Sequence, residues 1–139
     1  MSDVKALFQS LDTPFINYDS KRVEPISWQS KDLLVHRTYE ISVPASAGST
    51  IKYSFYTQIG DIKFSINLQK LDKEIIELVE PSRVPSDLET VRGTQKVDFD
   101  GNYIFVFDNT FSWFNPKILT YKINLYQVCH SCIIMLFII

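Results

Sequence analysis

The chain has 139 residues, 45% of them hydrophobic and 22% charged, which is the size and balance of one ordinary domain. That composition excludes a disordered tail, a collagen-like fibre and a coiled coil, and a formal charge of −2 supplies no basic footprint for nucleic acid. Aromatics make up 14% of the chain and alanine occurs only at Ala6, Ala45 and Ala47, a balance that favours strands over helices. The expected class is all-β: an antiparallel, jelly-roll-like β-sandwich with a short helical or irregular N-terminal lead-in.

The lead-in is assigned to residues 1–32. Val4, Leu7, Phe8 and Leu11 share a helical spacing that ends near Pro14, and the stretch from Asn17 to Ser30 mixes charges, Pro25 and turn formers. The sandwich is assigned to 33–127. Leu33, Val35, Tyr39, Ile41 and Val43 alternate with polar residues, and Pro44–Ser49 forms a loop of small residues. Ile51, Tyr53, Phe55 and Thr57 follow as one face of a strand, Gly60-Asp61 turns the chain, and Ile62, Phe64, Ile66 and Leu68 repeat the pattern with the cleanest period of two. Such alternation sets one face in a core and the other in water.

Ile75–Val79 reads as a further strand and Pro81–Thr90, with two prolines, as an exposed loop. Val97 and Phe99 lead into Asp100-Gly101, a hairpin signal because both residues tolerate positive φ. Tyr103, Phe105 and Phe107 line one face of the next strand, and Ile118–Tyr126 makes the last. The expected core contains Phe55, Phe64, Ile66, Tyr103, Phe105 and Tyr121. Residues 128–139 are a hydrophobic tail, too short for a span of about 20 residues. They read as a membrane-seeking segment, a buried last strand or an accident of where the chain ends.

Catalytic chemistry finds little support. His36 and His130 are the only histidines, and the glycines at 48, 60, 93 and 101 form no phosphate loop. Cys129-His130-Ser131-Cys132 offers half a zinc site without a second ligand pair. Asp98 and Asp100 could meet a cation, with Asp108 as a further contributor, but they read more simply as charged hairpin shoulders. Both cysteines lie in the tail, so no disulfide framework holds the body, and the N-terminus carries no signal-peptide pattern. The reading is a non-enzyme with no cofactor or metal and a cytoplasmic address.

One segment stands apart, Phe107-Asp108-Asn109-Thr110-Phe111-Ser112-Trp113-Phe114. Asp-Asn is a turn signal, since both side chains can bond nearby backbone N–H groups. Three aromatics in four residues then either plug one end of the sandwich or protrude as an anchor for a protein partner or a membrane interface. The candidate contact residues are Phe111, Trp113, Phe114 and Lys117, with Pro81–Thr90 as a second contact loop.

The run from Tyr103 to the last strand, with Asp108-Asn109, Thr110–Phe114 and Lys117, resembles the end of the GOLD (Golgi dynamics) domain. Val43-Pro44, Ile51–Thr57, Asp61–Ile66 and Gly101-Asn102-Tyr103 are similar to other elements of that family, and the resemblance covers about residues 33–127. It is closer to the cytosolic versions found in CRAL-TRIO lipid-transfer proteins and Golgi adaptors than to the luminal cargo receptors. The resemblance implies a β-sandwich that docks proteins, and phosphoinositide-bearing membranes as the alternative, in trafficking at the Golgi or other endomembranes. The resemblance does not extend to a lipid-transfer or acyl-CoA-binding domain, so lipid carriage is not implied.

Overall fold

The computed structural model describes residues 24–127. The sequence calls for a helical turn near 4–11, the zinc-like half-site and the hydrophobic tail, which lie outside these residues. Eight strands, β1 (Ile26–Val35), β2 (Thr38–Ala45), β3 (Thr50–Gln58), β4 (Ile62–Lys70), β5 (Ile75–Val84), β6 (Val91–Lys96), β7 (Gly101–Asp108) and β8 (Lys117–Tyr126), form two antiparallel sheets. One sheet has the order β1-β8-β3-β6 and the other β2-β7-β4-β5. The expected all-β sandwich is the observed fold. Among the described residues only β4–β5 is a hairpin within one sheet; the other connections carry the chain from one sheet to the other. Among the described residues no helix is long and apolar enough to cross a membrane.

The period of two in the sequence becomes the inside and outside of these sheets. Ile51, Phe55 and Thr57 of β3, and Leu119, Tyr121, Ile123 and Leu125 of β8, face Ile62, Phe64, Ile66 and Leu68 of β4 and Tyr103, Phe105 and Phe107 of β7. All six residues expected in the core are buried. Its centre is aromatic. Phe55 from one sheet meets Phe64 and Phe107 from the other, with ring centroids 4.7 and 4.9 Å apart and the second contact edge-on, a favoured geometry for aromatic quadrupoles. At the β6 edge, Tyr53 lies across Gly93 so closely that a Cβ there would sit 2.2 Å from its hydroxyl oxygen. That position accepts only glycine while the tyrosine keeps its place.

The structure departs from the sequence reading in four places. The sandwich begins at Ile26 and not at 33. β1 is an edge strand paired only with β8, and a register shift between Ser30 and Leu33, with Asp32 at φ 55°, breaks its alternation. The single run expected from Leu33 to Val43 is split at His36-Arg37, where the chain changes sheets. Pro81–Val84 is the end of β5, not a loop. β5 is also an edge strand, and between Val79 and Ser82 it carries one residue more than its partner, so Pro81 occupies a bulge where no ladder N–H is needed. Asp100-Gly101 is not a hairpin turn, because β6 pairs with β3 while β7 pairs with β2 and β4. The segment after β6 is tied to the β2–β3 turn by Gly48 N–H to Val97 O at 2.8 Å and Val97 N–H to Ser49 O at 3.1 Å. Asp100 there accepts the Ala47 N–H at 2.7 Å.

Candidate docking site at the loop end

Strand alternation puts the connections at 36–37, 59–61, 85–90 and 109–116 at one end of the sandwich. The longest of them is shaped by Asp108 and Asn109. Asp108 Oδ1 accepts the Thr110 N–H at 2.7 Å, the local turn that the sequence indicates. Burial alone would raise the Asp108 pKa, but the Thr110 hydrogen bonds and the nearby Lys63 and Arg37 charges together outweigh it and hold the carboxyl below its usual range.

Asn109 reaches much further than a turn residue. Its side chain is 0% exposed, and Nδ2 donates toward Asn115 O at 2.9 Å and toward Val35 O and His36 O, each at 3.3 Å. Its backbone N–H donates to Arg37 O at 2.6 Å. One carboxamide therefore fastens the β7–β8 loop to the β1–β2 turn. Its remaining oxygen accepts Lys117 Nζ at 2.5 Å.

Lys117 thus corrects the sequence expectation. It is 3% exposed, and its ammonium points into the domain. It occupies an inward position of β8, in register with Val35 and flanking the same core as Leu119. Burial lowers its pKa, and Asn109 supplies the oxygen that a buried cation needs. Gly60, at φ 113°, leaves room for the lysine stem; a Cβ there would lie 2.9 Å from Lys117 Cε.

Phe111 is likewise drawn inward. Two cations approach its ring, the Arg83 guanidinium at 4.1 Å and Lys117 Nζ at 4.7 Å from the centroid. Arg83 in turn makes a two-pronged pair with Asp61 at 2.9 and 3.0 Å, and that hydrogen bonding lowers the Asp61 pKa. The neighbouring loops are joined by Thr57 and Ser86, whose hydroxyls are 2.6 Å apart, and by Thr57 N–H to Ser86 O at 3.0 Å. The Thr57 hydroxyl also donates to Gly60 O at 2.7 Å.

Above this fastened base, four large apolar side chains stand in water. Trp113 is 83% exposed and Phe114 91%, on the β7–β8 loop. Leu88 is 82% exposed on the β5–β6 loop and Ile59 57% exposed on the β3–β4 turn. Ile59 has φ 71°, a region that a β-branched residue rarely occupies and that costs about 1–2 kcal/mol. Of the candidate contact residues, Trp113 and Phe114 therefore project, while Phe111 and Lys117 form the support beneath them. Ile59 escaped the sequence reading, and Leu88 entered it only as part of the Pro81–Thr90 contact loop. Their signals were slight: an isoleucine directly before a turn glycine, and a leucine alone among Ser86, Asp87 and Glu89.

The described residues hold no group of three or more His, Cys, Asp or Glu side chains placed to bind a metal ion. His36 is exposed in the β1–β2 turn, and Asp98 and Asp100 lie at the opposite end of the sandwich.

No protein-family model matches the chain. Over 102 residues, 68% of the chain, it is 31% identical to human FYVE and coiled-coil domain-containing protein 1, and over 84 residues, 58% of the chain, 33% identical to the mouse protein of that name. The matches span 7% and 6% of those two relatives. Among solved structures the chain is similar to the CBM22-1 xylan-binding domain of Paenibacillus barcinonensis Xyn10C, with a TM-score of 0.49 and 11% identity over 76% of this chain and 74% of that one. Aeromonas hydrophila PliG, a periplasmic inhibitor of g-type lysozyme, has a TM-score of 0.47 and 11% identity over 76% of this chain and 88% of that one.

Proposed function

We propose that this chain is a non-catalytic docking module of membrane trafficking, a GOLD-type sandwich that engages a protein partner through its loop end on the cytoplasmic side of the Golgi or other endomembranes. The observation that carries the reading is the set of exposed apolar tips, Ile59, Leu88, Trp113 and Phe114, raised on three loops, two joined at their bases by the Thr57–Ser86 hydrogen bonds and the third fastened by Asn109 to the β1–β2 turn and by Phe111 against Arg83. A rigid base keeps the ordering cost of binding low, and Trp is the residue type most often found at the centre of binding hot spots. The trafficking setting is supported by the resemblance to GOLD sandwiches. The match to a short stretch of a much larger FYVE and coiled-coil protein fits a module carried within a longer chain.

The test is photo-cross-linking with benzoylphenylalanine placed at Trp113, compared with the same group at Phe99 at the opposite end. Docking at the loop end gives a discrete adduct from position 113 only, and the adduct's protein then binds the purified chain directly. Equal adducts from both positions refute the placement. A second reading, direct contact with a bilayer, is favoured by the protrusion of Trp113 and Phe114, since tryptophan is enriched at membrane interfaces. Flotation of the full chain with vesicles, lost in Trp113→Ser/Phe114→Ser, would select it.

A further inference from the structure

The net charge of −2 conceals a separation between the two sheets. Strands β1, β8, β3 and β6 carry six cations, Lys31, Lys52, Arg92, Lys96, Lys117 and Lys122, against one carboxylate, Asp32. The other sheet carries three, Lys63, Lys70 and Arg83, against four, Glu40, Glu77, Glu80 and Asp108. Lys117 points into the domain, so the outer face of the first sheet presents five cations. Among the described residues the ion pairs are Lys70–Glu74 and Arg83–Asp61, neither of them on this face.

The face is also recessed. Two adjoining grooves of about 540 and 570 Å³ run across it and share Ser54, Arg92 and Lys122 as walls. No carboxylate lines either groove, whereas Ser54, Thr120 and Asn124 supply neutral hydrogen-bonding groups between the charges. Lys52 is held over the Tyr126 ring, 5.6 Å from its centroid, which keeps one ammonium at the groove wall.

We propose that this face binds an acidic peptide segment in extended conformation. Four strands set three interstrand spacings, about 14 Å, which is the reach of four or five extended residues. Carboxylates on such a segment complement Lys31, Lys52, Arg92 and Lys122, and its backbone meets the hydroxyl and amide groups between them. A bilayer fits less well, because the charges lie in a recess and the protruding apolar groups stand at the loop end, on a different side of the domain. This surface is separate from the loop-end site and stands or falls without it.

The test uses the full chain and a fluorescein-labelled hexaglutamate peptide followed by anisotropy, with hexaserine as the neutral control. Binding is expected for hexaglutamate alone and should weaken steeply as salt shortens the screening length from about 10 Å at 0.1 M to about 3 Å at 1 M. Arg92→Ala/Lys122→Ala should weaken it tenfold or more. Lys63→Ala, on the opposite sheet, and Trp113→Ser should change it less than twofold. All four side chains are at least partly open to solvent, and an unchanged melting temperature separates loss of the site from loss of the fold. Absence of hexaglutamate binding up to about 1 mM, or equal losses in Lys63→Ala and the double variant, overturns the proposal. So does binding through Arg92 and Lys122 that is tighter for anionic vesicles or for labelled oligothymidine than for the peptide.

Discussion

Replacing Asn109 by alanine tests whether the docking loop rests on a built foundation. The substitution removes a side chain that donates two N–H groups among three main-chain carbonyls and accepts one buried ammonium. Two neutral hydrogen bonds contribute about 1 kcal/mol each, and a charged one about 1.5–3. Lys117 then loses the oxygen that its buried ammonium is bonded to, a costly arrangement inside a protein. The expected loss is about 4 kcal/mol, a large share of a typical domain stability and about 20 °C in melting temperature. Urea unfolding followed by far-UV circular dichroism measures it. Converting the stranded lysine as well, in Asn109→Ala/Lys117→Met, should recover about 2 kcal/mol, because a thioether of similar length needs no partner. A loss below about 1 kcal/mol in the single variant, or a double variant no more stable than the single, would refute the reasoning.

Ile59→Asn should stabilise the domain by about 1 kcal/mol, because asparagine tolerates the positive φ that isoleucine holds under strain, while contact at the loop end weakens; a lower urea midpoint would contradict it. Gly93→Ala should cost about 2 kcal/mol, since the new Cβ displaces the Tyr53 ring from its packing 5.4 Å from Phe64 and from Phe105, and a cost under about 0.5 kcal/mol would show that the ring moves freely. Stability should also fall above about pH 10. Burial raises the pKa of Tyr53, Tyr103 and Tyr121, the last also through its contact with Tyr39, so the unfolded chain releases these protons first. Lys117, with its pKa lowered, acts in the opposite direction, one group against three. A urea midpoint that rises between pH 9 and 11 would reverse that balance.

The central strands were legible because each buries one face fully, so β3, β4, β7 and β8 show a period of two that nothing interrupts. The edges were not. β1 and β5 have one neighbour each, expose most of their side chains and carry bulges, so their patterns look like loops. The crossing at Val97–Gly101 was misread because Asp-Gly reports local backbone tolerance, whereas the pairing of β6 with β3 is a long-range choice.

At the candidate site the sequence indicated the aromatic loop but not which side chains turn inward. Lys117 looked like a surface cation because charge predicts exposure. What buries it is an oxygen eight residues earlier in the chain and the space left by Gly60, neither visible in a linear pattern. The basic sheet face was hidden for the same reason. Its cations are spread from Lys31 to Lys122, and only the pairing of four strands brings them onto one surface.

The loop-end claim is tested most directly by Trp113→Ser/Phe114→Ser, measured for stability and for partner capture on the same preparation. Both side chains already stand in water, so the melting temperature should stay within about 2 °C of the parent. Removing a hot-spot aromatic should lower affinity about 30-fold, equivalent to about 2 kcal/mol. Unchanged capture, or a domain that unfolds when the two aromatics are removed, would contradict the account.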